Sequence, residues 1–139
     1  FSAHATEPLR DLAKVASGGE LARIMLAVQT VLASVGGVPT LIFDEIDSGL
    51  SGRAASAVGR KLHEISKAVQ VVAISHLPQV VSQADQHFHL DKEACDGSVR
   101  TRIEAITGQR RVEEVARLLS GEKIGPTALQ NAVELLATG

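Results

Sequence analysis

Leu41-Ile42-Phe43-Asp44-Glu45 is an apolar run that stops in two adjacent carboxylates, and Ile46-Asp47-Ser48-Gly49 follows it directly. Thr40 to Phe43, behind Pro39, have the composition of a central strand covered on both faces, so the acids fall where that strand leaves its sheet. Ligands of open α/β sheets bind at this carboxyl edge. Consecutive side chains on a strand point in different directions, so the two acids suit different tasks: Asp44 can hold a divalent cation while Glu45 polarises a water. The plainer alternative is a strand ending in a solvated Asp-Glu pair. The flanking sequence decides between them.

Upstream, Ser17-Gly18-Gly19-Glu20 opens the longest apolar segment of the chain, Leu21 to Val35. Ser17 suits an N-cap and Glu20, three residues on, completes a capping box, which predicts a helix start here. Leu21, Ile24, Met25, Val28, Val31, Leu32 and Val35 occupy nearly the whole circumference and leave a narrow polar stripe of Glu20, Arg23, Thr30 and Ser34. Such a helix is buried, and Gly36-Gly37 ends it. Capping does not explain Gly18 and Gly19, because each lowers helix propensity by roughly 1 kcal/mol relative to Ala. Glycine there permits close approach, and bare N–H groups at the positive end of a helix dipole accept a phosphate. A simple serine cap preceded by loop is the alternative.

Downstream, Arg53 to Ala68 places Ala54, Val58, Leu62, Ile65 and the following Val69 at helical spacing, with Arg60, Lys61, Glu64 and Lys67 opposite. Gln70-Val71-Val72-Ala73-Ile74-Ser75-His76 then has the pattern of a second buried strand, closed by Pro78. Strand, helix, strand predicts a right-handed parallel βαβ unit. Ser75 and His76 are therefore expected at the same edge as Asp44 and Glu45, where a histidine can meet a phosphate oxygen or an attacking water.

These residues carry a family resemblance. Ser17-Gly18-Gly19-Glu20 resembles the signature motif of ABC ATPases, Leu41 to Glu45 the Walker B motif with its catalytic glutamate, and Ser75-His76 the switch histidine, in the family's order and spacing. The wider strings from Leu12 to Ala27, Asp44 to Gly52 and Ser75 to Val80 resemble the RecN family of bacterial DNA repair ATPases, relatives of the SMC proteins, tightly over residues 9 to 91 and loosely elsewhere. The resemblance implies a three-layer α/β lobe with a parallel sheet, the C-terminal half of an ATP-binding head spanning residues 1–139. It assigns Mg²⁺ to Asp44, the general base or water-orienting role to Glu45 and a γ-phosphate contact to His76. Ser17, Gly18, Gly19 and Glu20 would clasp the ATP of a second head in trans. It further implies homodimerisation, DNA binding through the complete protein and a cytoplasmic, nucleoid-associated setting.

Two departures qualify that picture. Many ABC ATPases place an aspartate where Ser51 stands here, so Asp47, the nearer acid, is expected to take over part of the communication between paired sites. No Gly-x-x-x-x-Gly-Lys-Ser/Thr occurs in the chain, so the backbone cradle and lysine for the β and γ phosphates are expected on an N-terminal lobe beyond a coiled coil. Phe1 in place of an initiator methionine agrees with a piece of something larger.

Composition narrows the rest. The 139 residues suit one domain, and 45% hydrophobic content suffices for a core. A net charge of −2 and three Phe without Trp or Tyr argue against a strong DNA grip by this part alone. Cys95 is the single cysteine, expected to be inert beside an Asp96-Gly97 turn. No apolar run is long enough for a bilayer and no signal peptide is evident. Beyond a lead-in from Phe1 to Val15, the remaining elements predicted are a short helix from Pro78 to Ala84, a hairpin of Gln86–Asp91 with Ser98–Ile106, and amphipathic helices over Gln109–Leu119 and Pro126–Leu136. His87 and His89 share one face, taken as a polar outer face opposite Phe88 and Leu90, while Arg110, Arg111, Glu113, Glu114 and Arg117 form a solvated charged face. The rivals are an ABC lobe serving segregation or transport, which a sequence containing the coil separates, and a non-catalytic interaction domain. Intact Asp44, Glu45 and His76 count against the second.

Overall fold

The computed structural model describes residues 18–32, 38–44, 46–95 and 98–139. The expectations for Ser17, Glu45, the lead-in, the helix end at Gly36-Gly37 and the Asp96-Gly97 turn lie outside these residues. The chain divides into two compact units, Phe1–Ser75 and His76–Gly139.

The first unit holds α1 (Gly18–Leu32), β1 (Thr40–Asp44), α2 (Gly52–Ser66) and β2 (Gln70–Ile74). The strands pair in parallel, from Thr40 opposite Gln70 to Asp44 opposite Ile74, and α2 makes the crossover. Ala55, Val58, Gly59, Leu62 and Ile65 are the buried face of α2, one position from the expected Ala54 at its start, which is exposed. That face packs on α1 and β2.

The sheet departs from the expectation of a strand covered on both sides. Leu41, Phe43 and Val71 share one face and are sheltered, whereas Ile42 (71% exposed), Val72 and Ile74 (53% exposed) line the other. An apolar strand was rightly expected, but among the described residues its second face is left exposed. Thr40 Oγ1 donates to Gln70 Oε1 at 2.9 Å at the start of the bare face.

The second unit holds α3 (Pro78–Val81), β3 (His87–Cys95), β4 (Ser98–Ile106), α4 (Gly108–Ser120) and α5 (Pro126–Ala137). β3 and β4 form an antiparallel hairpin with His87 opposite Ile106 and Cys95 opposite Ser98. Val115, Ala116 and Ala132 are buried where α4 meets α5, with Val81, Val112, Leu129 and Leu136 around them. Gly108 and Gly121 bracket α4 with positive φ, and Pro126 starts α5 at a position that needs no N–H donor.

The hairpin's sidedness is the reverse of that expected. Phe88 (52% exposed) and Leu90 (56%) face outward together with Ile103 and Val99, while His87 and His89 are half-buried. On the inner face His89 Nδ1 lies 3.3 Å from the Glu114 carboxylate of α4, a polar partner for the half-buried histidine.

Candidate functional site

The ladder carries Asp44 to the last position of β1, where its exposed carboxylate shares the bare face with Ile42, Val72 and Ile74. The chain then turns inward. Ile46 is fully buried and Asp47 is 2% exposed. Leu50 N–H donates to Asp47 O at 3.0 Å, closing a turn in which Gly49 takes φ +72°, a value side-chain-bearing residues rarely adopt.

Two side chains hold that turn from different elements. Arg23, on α1, donates Nη1 to Ser48 O at 3.0 Å and to Ile46 O at 3.5 Å. Ser75, just past β2, donates Oγ to Asp47 Oδ2. The helix that begins with Gly18-Gly19, the acid-bearing strand and the end of its parallel neighbour are thus tied through residues 46–48. The expected polar stripe on α1 contained Arg23 without assigning it a partner. A lone arginine among apolar residues on a packed helix was the signal, since its fork must find acceptors.

Asp47 is the acid expected to stand in for the aspartate that Ser51 replaces. Asp47 is buried within its own unit. Ser51 is exposed and extended at the N-cap of α2, with no hydrogen bond from its side chain to the helix start. Gly18 and Gly19 form the first turn of α1. His76 is exposed, follows Ser75 directly and precedes Pro78, the first residue of α3. Among the described residues, no group of three or more His, Cys, Asp or Glu side chains converges as a metal-ligand set.

A second charged cluster lies in the hairpin unit. Arg117 grips Glu114 through Nε at 2.8 Å and Nη2 at 2.6 Å, which with the nearby His89 holds the Glu114 carboxyl below the usual carboxylate range. Burial, then the charge of Arg111, pushes His87 below the ordinary histidine value. Arg111 Nη2 donates to Ala84 O at 2.6 Å and Ser82 O at 3.3 Å, so this supposedly solvated face partly clamps the end of α3. Arg110 pairs with Glu104 on β4. These contacts join elements of the fold.

No protein-family model matches the chain. Curated relatives do: the DNA repair protein RecN of Treponema pallidum (strain Nichols) is 50% identical over 139 residues, covering 100% of this chain and 24% of that protein. RecN of Bacillus subtilis (strain 168) is 44% identical over 136 residues, 98% of this chain and 24% of its own length. The chain is RecN-like. It spans about a quarter of the RecN proteins it matches, and RecN of Deinococcus radiodurans gives the same share, 24%, at 44% identity. A solved structure from work on ATP-driven dimerization and DNA-stimulated activation of SMC ATPases superposes with a TM-score of 0.54 at 23% identity, covering 87% of this chain and 71% of that one. The RecN-like chain therefore has the mixed α/β fold of an SMC ATPase head.

Proposed function

We propose that this chain is the C-terminal catalytic lobe of a RecN-like ATPase acting in recombinational repair of DNA double-strand breaks, in a cytoplasmic, nucleoid-associated protein. The observation that carries the reading is Asp44, set at the carboxyl end of β1 on a bare apolar face. Each large side chain on that face loses roughly 1.5 to 3 kcal/mol by staying in water. An N-terminal lobe of the same protein, carrying the phosphate loop this sequence lacks, would cover Ile42, Val72 and Ile74 and so bring its nucleotide to Asp44.

Asp44 would hold Mg²⁺, mostly through water. A magnesium ion keeps several waters and takes one or two carboxylates with substrate phosphates, which a single exposed strand-end acid fits. When bound, the ion supplies positive charge to the phosphate oxygens. Glu45 orients the attacking water or accepts its proton, and His76 contacts the γ-phosphate. Ser17, Gly18, Gly19 and Glu20 clasp the ATP of a second head, so that ATP joins two heads and hydrolysis separates them. DNA end tethering follows from that cycle in the complete protein; with a net charge of −2, this lobe is not its main DNA grip.

The test is Glu45→Gln in the complete protein. Shape and hydrogen-bonding reach survive but the base is gone, so the rate of hydrolysis falls ~10² to 10⁴-fold while ATP binding persists. ATP-bound heads then accumulate as a dimer on size exclusion with light scattering. A variant that turns over ATP at the parent rate sinks the assignment.

A further inference from the structure

Asp47 is an acid two residues past Glu45, 2% exposed, and it receives the hydroxyl of the residue immediately before His76. A buried carboxylate is an expensive way to fill space, since an apolar residue of similar volume packs without desolvating a charge. What the charge and hydroxyl provide instead is direction: the bond fixes one backbone relative to another at a defined angle. The two backbones joined here are the turn leaving β1 and the segment leaving β2.

We propose that Asp47 and Ser75 form a latch that fixes the reacting geometry, and that both are positioning residues for ATP hydrolysis. The inference rests on the ATPase reading above. The latched turn follows on Asp44, which closes the ladder opposite Ile74, and it includes the fully buried Ile46. With Asp47 latched to Ser75 and Ser48 held by Arg23, the turn after β1 is secured to both β2 and α1. One contact thus ties the segment that follows Asp44 to the end of β2. Arg23 approaches backbone carbonyls and secures the turn to α1, whereas Asp47 and Ser75 secure it to β2.

The role is distinct from holding the fold together. An error of 1 Å in the placement of a catalytic group costs about 10²-fold in rate, so a slackened latch shows in turnover before it shows in folding. As positioning residues they act on turnover, and ATP affinity is expected to stay as it was.

The experiment uses the complete protein with ATP and Mg²⁺. Ser75→Ala removes one oxygen and lowers kcat about tenfold with KM unchanged. Asp47→Ala does the same, and the double variant is no slower than the worse single one, because both break a single bond. Ser75→Thr restores the hydroxyl and recovers most of the rate. If Asp47→Ala fails to fold, the Ala and Thr variants at Ser75 decide the matter. Ser75→Ala turning over at the parent rate, or a loss no greater than its unfolded fraction in a thermal melt, overturns the latch while leaving the ATPase reading intact. An unmodified complete protein that does not hydrolyse ATP overturns both.

Discussion

Arg23 and Ser48 are 25 residues apart in sequence and joined by a 3.0 Å hydrogen bond from guanidinium to carbonyl. The bond secures the turn after β1 to α1, the helix that opens with Gly18-Gly19. Arg23→Ala leaves two carbonyls short of a charged donor, each such bond being worth about 1.5 to 3 kcal/mol. A fall in the calorimetric melting temperature is expected, with Arg23→Lys recovering only part of it because a lysine lacks the fork. An unchanged melting temperature in Arg23→Ala would show the contact to be idle.

The chain by itself is expected not to bind ATP tightly or hydrolyse it, since no lysine-bearing phosphate loop is present in its sequence. Isothermal calorimetry with ATP and Mg²⁺ checks this. Micromolar binding by these 139 residues would contradict the half-site reading.

Ser17→Arg in the complete protein places a long side chain over Gly18 and Gly19. Each head should still bind ATP through its own phosphate loop, yet ATP-dependent pairing and hydrolysis should both collapse. Loss of an N-cap costs about 0.5 to 2 kcal/mol, which a folded domain survives. Mixing this variant with one carrying a dead phosphate loop leaves one composite site built from two intact surfaces, and hydrolysis partly returns. Normal pairing by Ser17→Arg would reduce Ser17 to a helix cap.

Acidification should weaken the hairpin unit in two successive windows. Burial and Arg111 hold His87 below its ordinary 6.5, so the unfolded chain takes up that proton first. The stability involved is fully present above pH 6.5 and lost as pH falls through the lower folded value. Glu114, held below 4.5 chiefly by its bonds from Arg117, adds a second loss further down. Denaturant midpoints followed from pH 7.5 to 5 should fall in the parent and stay flatter in His87→Gln. Equal slopes would remove His87 from the account.

The βαβ unit was legible because an apolar run bounded by Pro39 and the Asp44-Glu45 pair admits few other structures, and because Val58, Leu62 and Ile65 fix the phase of the crossover helix. What the pattern could not carry was sidedness. Alternation divides Phe88 and Leu90 from His87 and His89 without saying which pair turns inward; that depends on what α4, an element not yet placed, presents to the hairpin, Glu114 beside His89 included. Contacts of Arg23 and Ser75 were hidden for the same reason. Their acceptors, Ser48 O and Asp47 Oδ2, lie 25 and 28 positions away, and hydrophobic periodicity holds no information about a carbonyl.

The parallel register has a kinetic consequence. Every residue of β1 pairs with one 30 positions further on, from Thr40 with Gln70 to Asp44 with Ile74, whereas the hairpin pairs start at Cys95 with Ser98. Closing a long loop costs entropy before its contacts return anything, so the hairpin can zip from its turn while the parallel pair must wait for α2 to bring its ends together. In refolding of the whole chain, the pairing that bears Asp44 is therefore expected to form after the hairpin.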